Sequence, residues 1–161
     1  MKLLKSILSA IWSFFWFKEK TKDELVTLLR QGFEGIQKFN KYCAKLKHKN
    51  HYRRGFLDLS GVDLSGVNLW CVDFSFVNLR GANLEGVCFQ HADLYYTYFD
   101  GAILKNADLS YAVMVGASFR DADMAGVKIT CLALIIETVG LPRSVFEQYI
   151  NDLKKYIRFR D

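Results

Sequence analysis

Apolar and polar residues recur in the middle of this chain with a period of five. From Leu57 to Cys131 fifteen pentads follow one another without an insertion, beginning Leu57-Asp-Leu-Ser-Gly61, Val62-Asp-Leu-Ser-Gly66 and Val67-Asn-Leu-Trp-Cys71. The third residue is Leu, Phe, Met or Ile in all fifteen, and the first is Ala, Val or Leu in fourteen, with Thr97 the exception. Hydrophobic residues make up 51% of the chain, so fifteen apolar centres in a row have chance odds of about 4 in 100,000.

Neither regular element accommodates that period. Five residues of α-helix advance about 500°, so each apolar centre lands about 140° from the last and the stripe smears around the helix. In a flat strand five is odd, and successive centres point to opposite faces. Both conflicts vanish if the backbone turns a corner once per pentad. First and third residues then point inward, and second, fourth and fifth outward. Seven of the eleven glycines occupy the fifth position, where a corner asks for permissive backbone. The pattern predicts an all-β solenoid over 57–136, counting Leu132–Ile136 as a sixteenth pentad whose Ile135 and Ile136 face outward.

The motif Ala-(Asp/Asn)-Leu-x-Gly, as in Ala82-Asn-Leu-Glu-Gly86, with Ala92-Asp-Leu and Ala107-Asp-Leu, resembles the pentapeptide-repeat proteins. The resemblance covers 57–131 and implies a right-handed quadrilateral β-helix with four pentads per coil, hence about four coils. Residues twenty apart then stack in columns. The resemblance also implies a function carried by some members, mimicry of duplex DNA by an acidic, C-terminally dimerised rod that binds a type II topoisomerase.

A solenoid exposes its core at both ends and needs caps. Thr21 and Glu24 have capping-box spacing, opening a helix with Leu25, Leu28 and Leu29 on one face. A second helical stretch carries Phe33, Ile36, Phe39 or Asn40, Cys43 and Leu46, with Gly32 as the break or bend. Residues 21–56 read as a basic helical cap, its helices over 22–48. After Pro142, Phe146, Tyr149, Ile150, Leu153 and Ile157 recur at helical spacing. The 137–161 segment is thus a C-terminal amphipathic helix, a cap or a homodimer interface. Residues 1–20 differ. A narrow Lys/Ser strip opposes Leu4, Leu8, Ile11, Trp12, Phe15 and Trp16, with Lys18 and Lys20 following. The run is shorter than the roughly 20 apolar residues a span needs and has no small-residue cleavage site before its aromatics. Trp, Phe and flanking Lys suit a helix lying in a membrane interface; packing back on the solenoid and a true span are the alternatives.

Charge refines this division. The whole chain carries +5, which by itself suggests nucleic acid or an anionic membrane. Residues 1–56 hold +9, the repeat −5 and the tail +1. An acidic repeat repels nucleic acid, so an anionic membrane surface met by the N-terminus is the expected counterpart. The four cysteines, at 43, 71, 88 and 131, have no metal-ligand spacing, and His48 and His51 lie in a basic stretch. No metal or cofactor is expected. The column Cys71, His91, Tyr111, Cys131 is the nearest approach to a reactive site, but it lacks an orienting group and a pocket. The chain reads as non-catalytic. Free cysteines and the absence of a cleavable signal suggest a reducing, cytoplasmic setting, peripheral to the membrane.

One face of the expected prism collects Phe76, Tyr95, Tyr96, Val113 and Val115, with Trp70, Tyr98 and Tyr111 nearby. Aromatics in that number exceed what a lone soluble surface shows, and Tyr and Trp are favoured interface anchors. The sequence therefore points to a scaffold or adaptor docking a protein partner there.

Overall fold

The computed structural model describes residues 20–48, 57–130 and 138–158. Helix α1 (Lys22–Arg30) begins at the capping box expected for it. The Thr21 hydroxyl accepts the Glu24 amide at 3.2 Å, and the Thr21 amide donates to Glu24 Oε2 at 2.9 Å, filling groups that a helix start leaves unpaired. Gly32, at φ +70°, turns the chain into α2 (Phe33–His48). Leu25, Leu29, Ile36, Phe39 and Cys43 are buried in the same cluster as the repeat core.

The repeat stacks in coils of twenty residues. Strand β1 (Leu57–Asp58) pairs in parallel with β2 (Val77–Asn78). Elsewhere each pentad pairs at one position, Asp63 with Asn83, Asn68 with Cys88, Asp73 with Asp93, and so on to Asp108 with Lys128. A spacing of twenty is four pentads per coil, as expected. Longer strands do not form because the backbone turns after every straight stretch.

The destination of each backbone amide explains the pentad's residue preferences. In the pentad from Val62, the Leu64 amide donates to Asn83 O and the Gly66 amide to Glu85 O, both in the next coil, while the Asn83 amide returns to Val62 O. The first amide of the following pentad closes the corner, Val67 to Leu64 O at 3.1 Å. Only the fourth amide has no backbone acceptor, and the second side chain supplies one. The Ser65 amide reaches Asp63 Oδ1 at 2.9 Å, Trp70 reaches Asn68 at 3.1 Å and Tyr95 reaches Asp93 at 3.1 Å. Asp or Asn at the second position is thus a local answer to an unpaired N–H, which an exposed turn otherwise leaves to water.

All fifteen central residues are buried, and eleven of the fifteen first residues are too. Thr97, the one polar residue at a first position, is fully buried and donates its hydroxyl to Phe74 O at 2.8 Å, which offsets its desolvation. A phenylalanine spine runs from the cap through the stack. Phe39 meets Phe74 at 5.3 Å, Phe74 meets Phe89 at 6.0 Å, Phe89 meets Phe99 at 5.9 Å, and Phe99 stacks on Phe119 at 4.8 Å.

The first coil has no coil beneath it, and cap side chains replace that missing ladder. Lys22 Nζ donates to Ser60 O at 3.1 Å, Arg30 Nη2 to Asp63 O at 2.8 Å, and the Asp73 amide donates to Asn40 Oδ1 at 2.9 Å. These are the groups that an underlying coil would otherwise engage. At the other end the stack runs past the expected limit at 136. Ser118 pairs with Val139 at an offset of twenty-one, against twenty for Asp108 with Lys128, so one extra residue lies between Lys128 and Val139; Leu132–Ile136 lie outside the described residues. Helix α3 (Arg143–Arg158) follows. Its docked side differs from the expected stripe. Val145 is buried and Tyr149 packs on the core, while Phe146 is 49% exposed. Val145 and Tyr149 are four apart and share the inward side.

Candidate partner-binding face

Every described fifth position has left-handed backbone, glycine or not. Gly61, Gly66, Gly81, Gly86, Gly101, Gly116 and Gly126 are joined by Cys71, Phe76, His91, Tyr96, Asn106, Tyr111 and Asp121, all with φ between +51° and +71°. A β-carbon costs about 1–2 kcal/mol in that conformation, less for Asn or Asp. The four corner columns differ sharply. Two hold Gly61, Gly81, Gly101, Asp121 and Gly66, Gly86, Asn106, Gly126; the other two hold Cys71, His91, Tyr111 and Phe76, Tyr96, Gly116. The ring-bearing corners are therefore the two that border one face, made by pentads 72–76, 92–96 and 112–116. Along these corners the rings stack, His91 on Tyr111 at 4.8 Å and 3°, and Phe76 on Tyr96 at 5.8 Å and 3°. Between the two rails lie Asp93, Tyr95 and Val113, all exposed.

The structure brings most of the expected docking residues together here. Tyr95, Tyr111 and Val113 are 37%, 41% and 38% exposed, whereas Phe76, Tyr96 and Val115 are half-buried. Tyr95 packs against both Phe76 and Tyr96, at 5.3 and 4.6 Å. Trp70 sits on the preceding face, 6.2 Å from His91 and 6.1 Å from Phe33 of α2. Tyr98 lies around the next corner beneath Arg80, whose guanidinium carbon is 4.1 Å from its ring centre. Asp93, Phe33 and His91 were not named for this surface. Only the twenty-residue columns, which place His91 under Tyr111, point to any of them.

Most carboxylates of the repeat already have a cation. Asp58 pairs with Lys22, Asp63 with Arg30, Asp73 with Lys47, Asp100 with Arg80 and Asp123 with Lys105. The column Arg80, Asp100, Arg120 is thus engaged, with the Arg120 amide also donating to Asp100. Hydrogen bonds from the Ser60 amide and hydroxyl, then Lys22, lower Asp58 to about 2. At Asp100 partial burial pushes upward, but bonds from Ser118, Arg80 and the Arg120 amide outweigh it and the carboxyl is lowered. Asp93 has no ion pair among the described residues. Burial pushes the Cys43 thiol up to about 12.

Among the described residues no group of His, Cys, Asp and Glu is arranged to hold a metal, and no helix is long and apolar enough to cross a membrane. Cys43, Cys71 and Cys88 are free thiols. Leu4, Leu8, Ile11, Trp12, Phe15 and Trp16, with Cys131, Ile135, Ile136 and His51, lie outside the described residues.

Stacked twenty-residue coils with a turn per pentad, closed by terminal helices, define a β-helical repeat protein. Residues 58–94 and 88–126 match the family described as pentapeptide repeats, in eight copies, so this region carries that family's repeat. Among solved structures, HetL from the cyanobacterium Nostoc sp. strain PCC 7120, a pentapeptide repeat protein involved in heterocyst differentiation regulation, is 29% identical. The match covers 52% of this chain and 42% of HetL, with a TM-score of 0.39. The Arabidopsis thaliana thylakoid-lumen pentapeptide repeat protein AT2G44920 is 31% identical over 46% of this chain and 62% of its own, TM-score 0.29. QnrB1, a plasmid-mediated fluoroquinolone resistance protein, is 14% identical over 60% and 63%, TM-score 0.22. The chain thus spans 42–63% of the length of these three structures. No curated protein matches it.

Proposed function

We propose that this chain is a non-catalytic scaffold or adaptor that binds a protein partner through the face between the His91/Tyr111 and Phe76/Tyr96 corners. One observation carries the reading: ring-bearing residues hold the strained left-handed corners only on the two edges of this face. Folding alone favours glycine there, and exposed Tyr anchors are what interfaces use. A core filled by Leu, Phe, Val and Ala, all buried, gives the face a rigid backing and supports a binding role. In the same proposal residues 1–20, through Leu4, Leu8, Ile11, Trp12, Phe15 and Trp16, hold the protein on an anionic membrane surface on its cytoplasmic side.

Quantitative pull-down with wild type beside Tyr95→Ala/Tyr111→Ala tests the docking face. Loss of a defined partner from the variant is expected; an unchanged partner list overturns it. Fractionation tests the tether: the full chain should sediment with membranes and turn soluble when residues 1–20 are removed. A full chain that stays in the soluble fraction rejects it. Topoisomerase binding by DNA mimicry is the weaker reading, because five of the repeat's carboxylates are neutralised by Lys or Arg and a duplex mimic needs unpaired negative charge along its length.

A further inference from the structure

We infer that the docking face recognises a cationic side chain, an arginine of a basic partner segment, held between Tyr95 and Tyr111 against the Asp93 carboxylate. The inference rests on the docking reading above and names the chemistry of its partner. Its template is on the neighbouring face of the same protein. There Tyr98 and Asp100, two residues apart on one pentad, are bridged by a resident guanidinium: Arg80 lies 4.1 Å over the Tyr98 ring and its Nε is 3.0 Å from Asp100 Oδ2. An aromatic face and a carboxylate at that spacing accommodate an arginine, by cation–π attraction and a charge-assisted hydrogen bond.

The docking face repeats the pair in reversed order, with Asp93 at the second position and Tyr95 at the fourth. No described residue supplies a cation to it. The coil below presents Asp73, which already binds Lys47 at 2.6 Å, and Ser75; the coil above presents Val113 and Val115. Asp93, Tyr95, Tyr111 and Val113 are all exposed. Among the described residues Asp93 engages only the Tyr95 amide, through one oxygen, at 3.1 Å, which leaves its second oxygen as an acceptor there. Charge complementarity therefore selects a basic occupant over an acidic or neutral one.

The test uses the full chain, ¹⁵N-labelled and followed by NMR, with two synthetic probes: a twelve-residue peptide alternating Arg and Leu, and the same peptide with citrulline, a neutral isostere, in place of arginine. The Arg peptide is expected to shift the resonances of 91–96 and 111–115 and to bind at least about tenfold more tightly than the citrulline peptide. Asp93→Asn should bring it down to the citrulline level. This substitution leaves the fold alone, since Asn68, Asn78 and Asn83 make the same side-chain bond to the fourth amide. Asp121→Asn, an exposed corner carboxylate on another edge, is the control and should change nothing. Equal binding of the two peptides, or an Asp121→Asn effect as large as that of Asp93→Asn, overturns the inference. Self-association of the chain that Asp93→Asn abolishes also overturns it, in favour of a second copy as occupant. Displacement of the peptide by residues 1–20 of the same chain, seen as tighter peptide binding after their removal, overturns it too. If Tyr95→Ala/Tyr111→Ala weakens both peptides while Asp93→Asn does not, only the cation is wrong. If neither variant matters, the docking face falls with it.

Discussion

Asn40 tests whether α2 acts as a substitute coil. Its Oδ1 accepts the Asp73 amide at 2.9 Å and its Nδ2 donates to Cys71 O at 3.0 Å, so one side chain completes two first-coil groups. Asn40→Ala removes both bonds, each worth about 0.5–1.5 kcal/mol net. The site is only part-buried, so water reaches some of the freed groups and the loss stays within that range. Alanine in a helix recovers up to about 0.7 kcal/mol relative to asparagine. The balance is a destabilisation of about 1–2 kcal/mol, lowering Tm by about 2–8 °C in a chain of this length. Locality is the sharper readout. Cys43 is buried one turn further along α2, and its alkylation requires α2 to lift. A cap loosened by that amount should raise the Cys43 alkylation rate about 5- to 30-fold. Urea unfolding within about 0.5 kcal/mol of wild type, together with an unchanged Cys43 rate, would refute the substitute-coil reasoning.

Gly81→Ala and Gly140→Ala separate two costs of the corners. A β-carbon at Gly81 meets nothing within 4 Å, whereas at Gly140 it would lie 2.5 Å from the Arg120 amide nitrogen. Thermal unfolding should show about 1 kcal/mol lost at Gly81, from backbone conformation alone, and clearly more at Gly140; equal losses would contradict the geometry. His91→Gly/Tyr111→Gly relieves two strained corners while losing one stacked pair of about 0.5–1.5 kcal/mol. On those figures stability should rise by about 0.5–3.5 kcal/mol while binding of the arginine peptide falls, and a loss of several kcal/mol would make the rings structural. Acid has a defined direction. Asp58, Asp63, Asp100, Asp108 and Asp123 are lowered in the folded state, Asp58 to about 2 from 3.8. The unfolded chain therefore binds protons first as pH falls, so their contribution is present above about pH 4 and fades toward pH 2. Urea midpoints that stay flat between pH 5 and pH 2 would count against it. With a thiol pushed up to about 12 by burial, native Cys43 should resist iodoacetamide at pH 8 and react on unfolding.

The coil period was legible because one constraint repeats fifteen times: an apolar centre must enter the core at every side. The caps were legible from Thr21 and Glu24 and from Gly32, where side-chain and backbone chemistry is local. The role of the second position was not. Asp and Asn there read as surface polarity, and only the ladder shows that the fourth amide has no other acceptor. The inserted residue before Val139 left no mark in the pattern, since the apolar run Leu132–Ile136 fits a pentad in either register. The docking face was partly legible. Tyr95, Tyr111 and Val113 follow from the columns, whereas the importance of Asp93 lies in a missing cation, which spacing does not record.

The corner columns separate folding from function in this chain. Each corner needs the same left-handed backbone, so a sequence answering to folding alone would carry Gly or Asn at all of them. The columns through Gly61 and Gly66 do so, apart from Asp121, which tolerates that backbone. Along His91/Tyr111 and Phe76/Tyr96 the chain instead accepts about 1–2 kcal/mol of strain per residue, offset only in part by stacking at 4.8 and 5.8 Å. Core burial does not account for the difference, because fifth positions point away from the core on every side. Nor does closure of the ladder, which uses the backbone amide whatever the side chain. What distinguishes the two columns is what they border: a face where a carboxylate beside an exposed tyrosine has no cation among the described residues. Strain concentrated at the edges of an unsatisfied surface is expected where that surface is completed by another molecule.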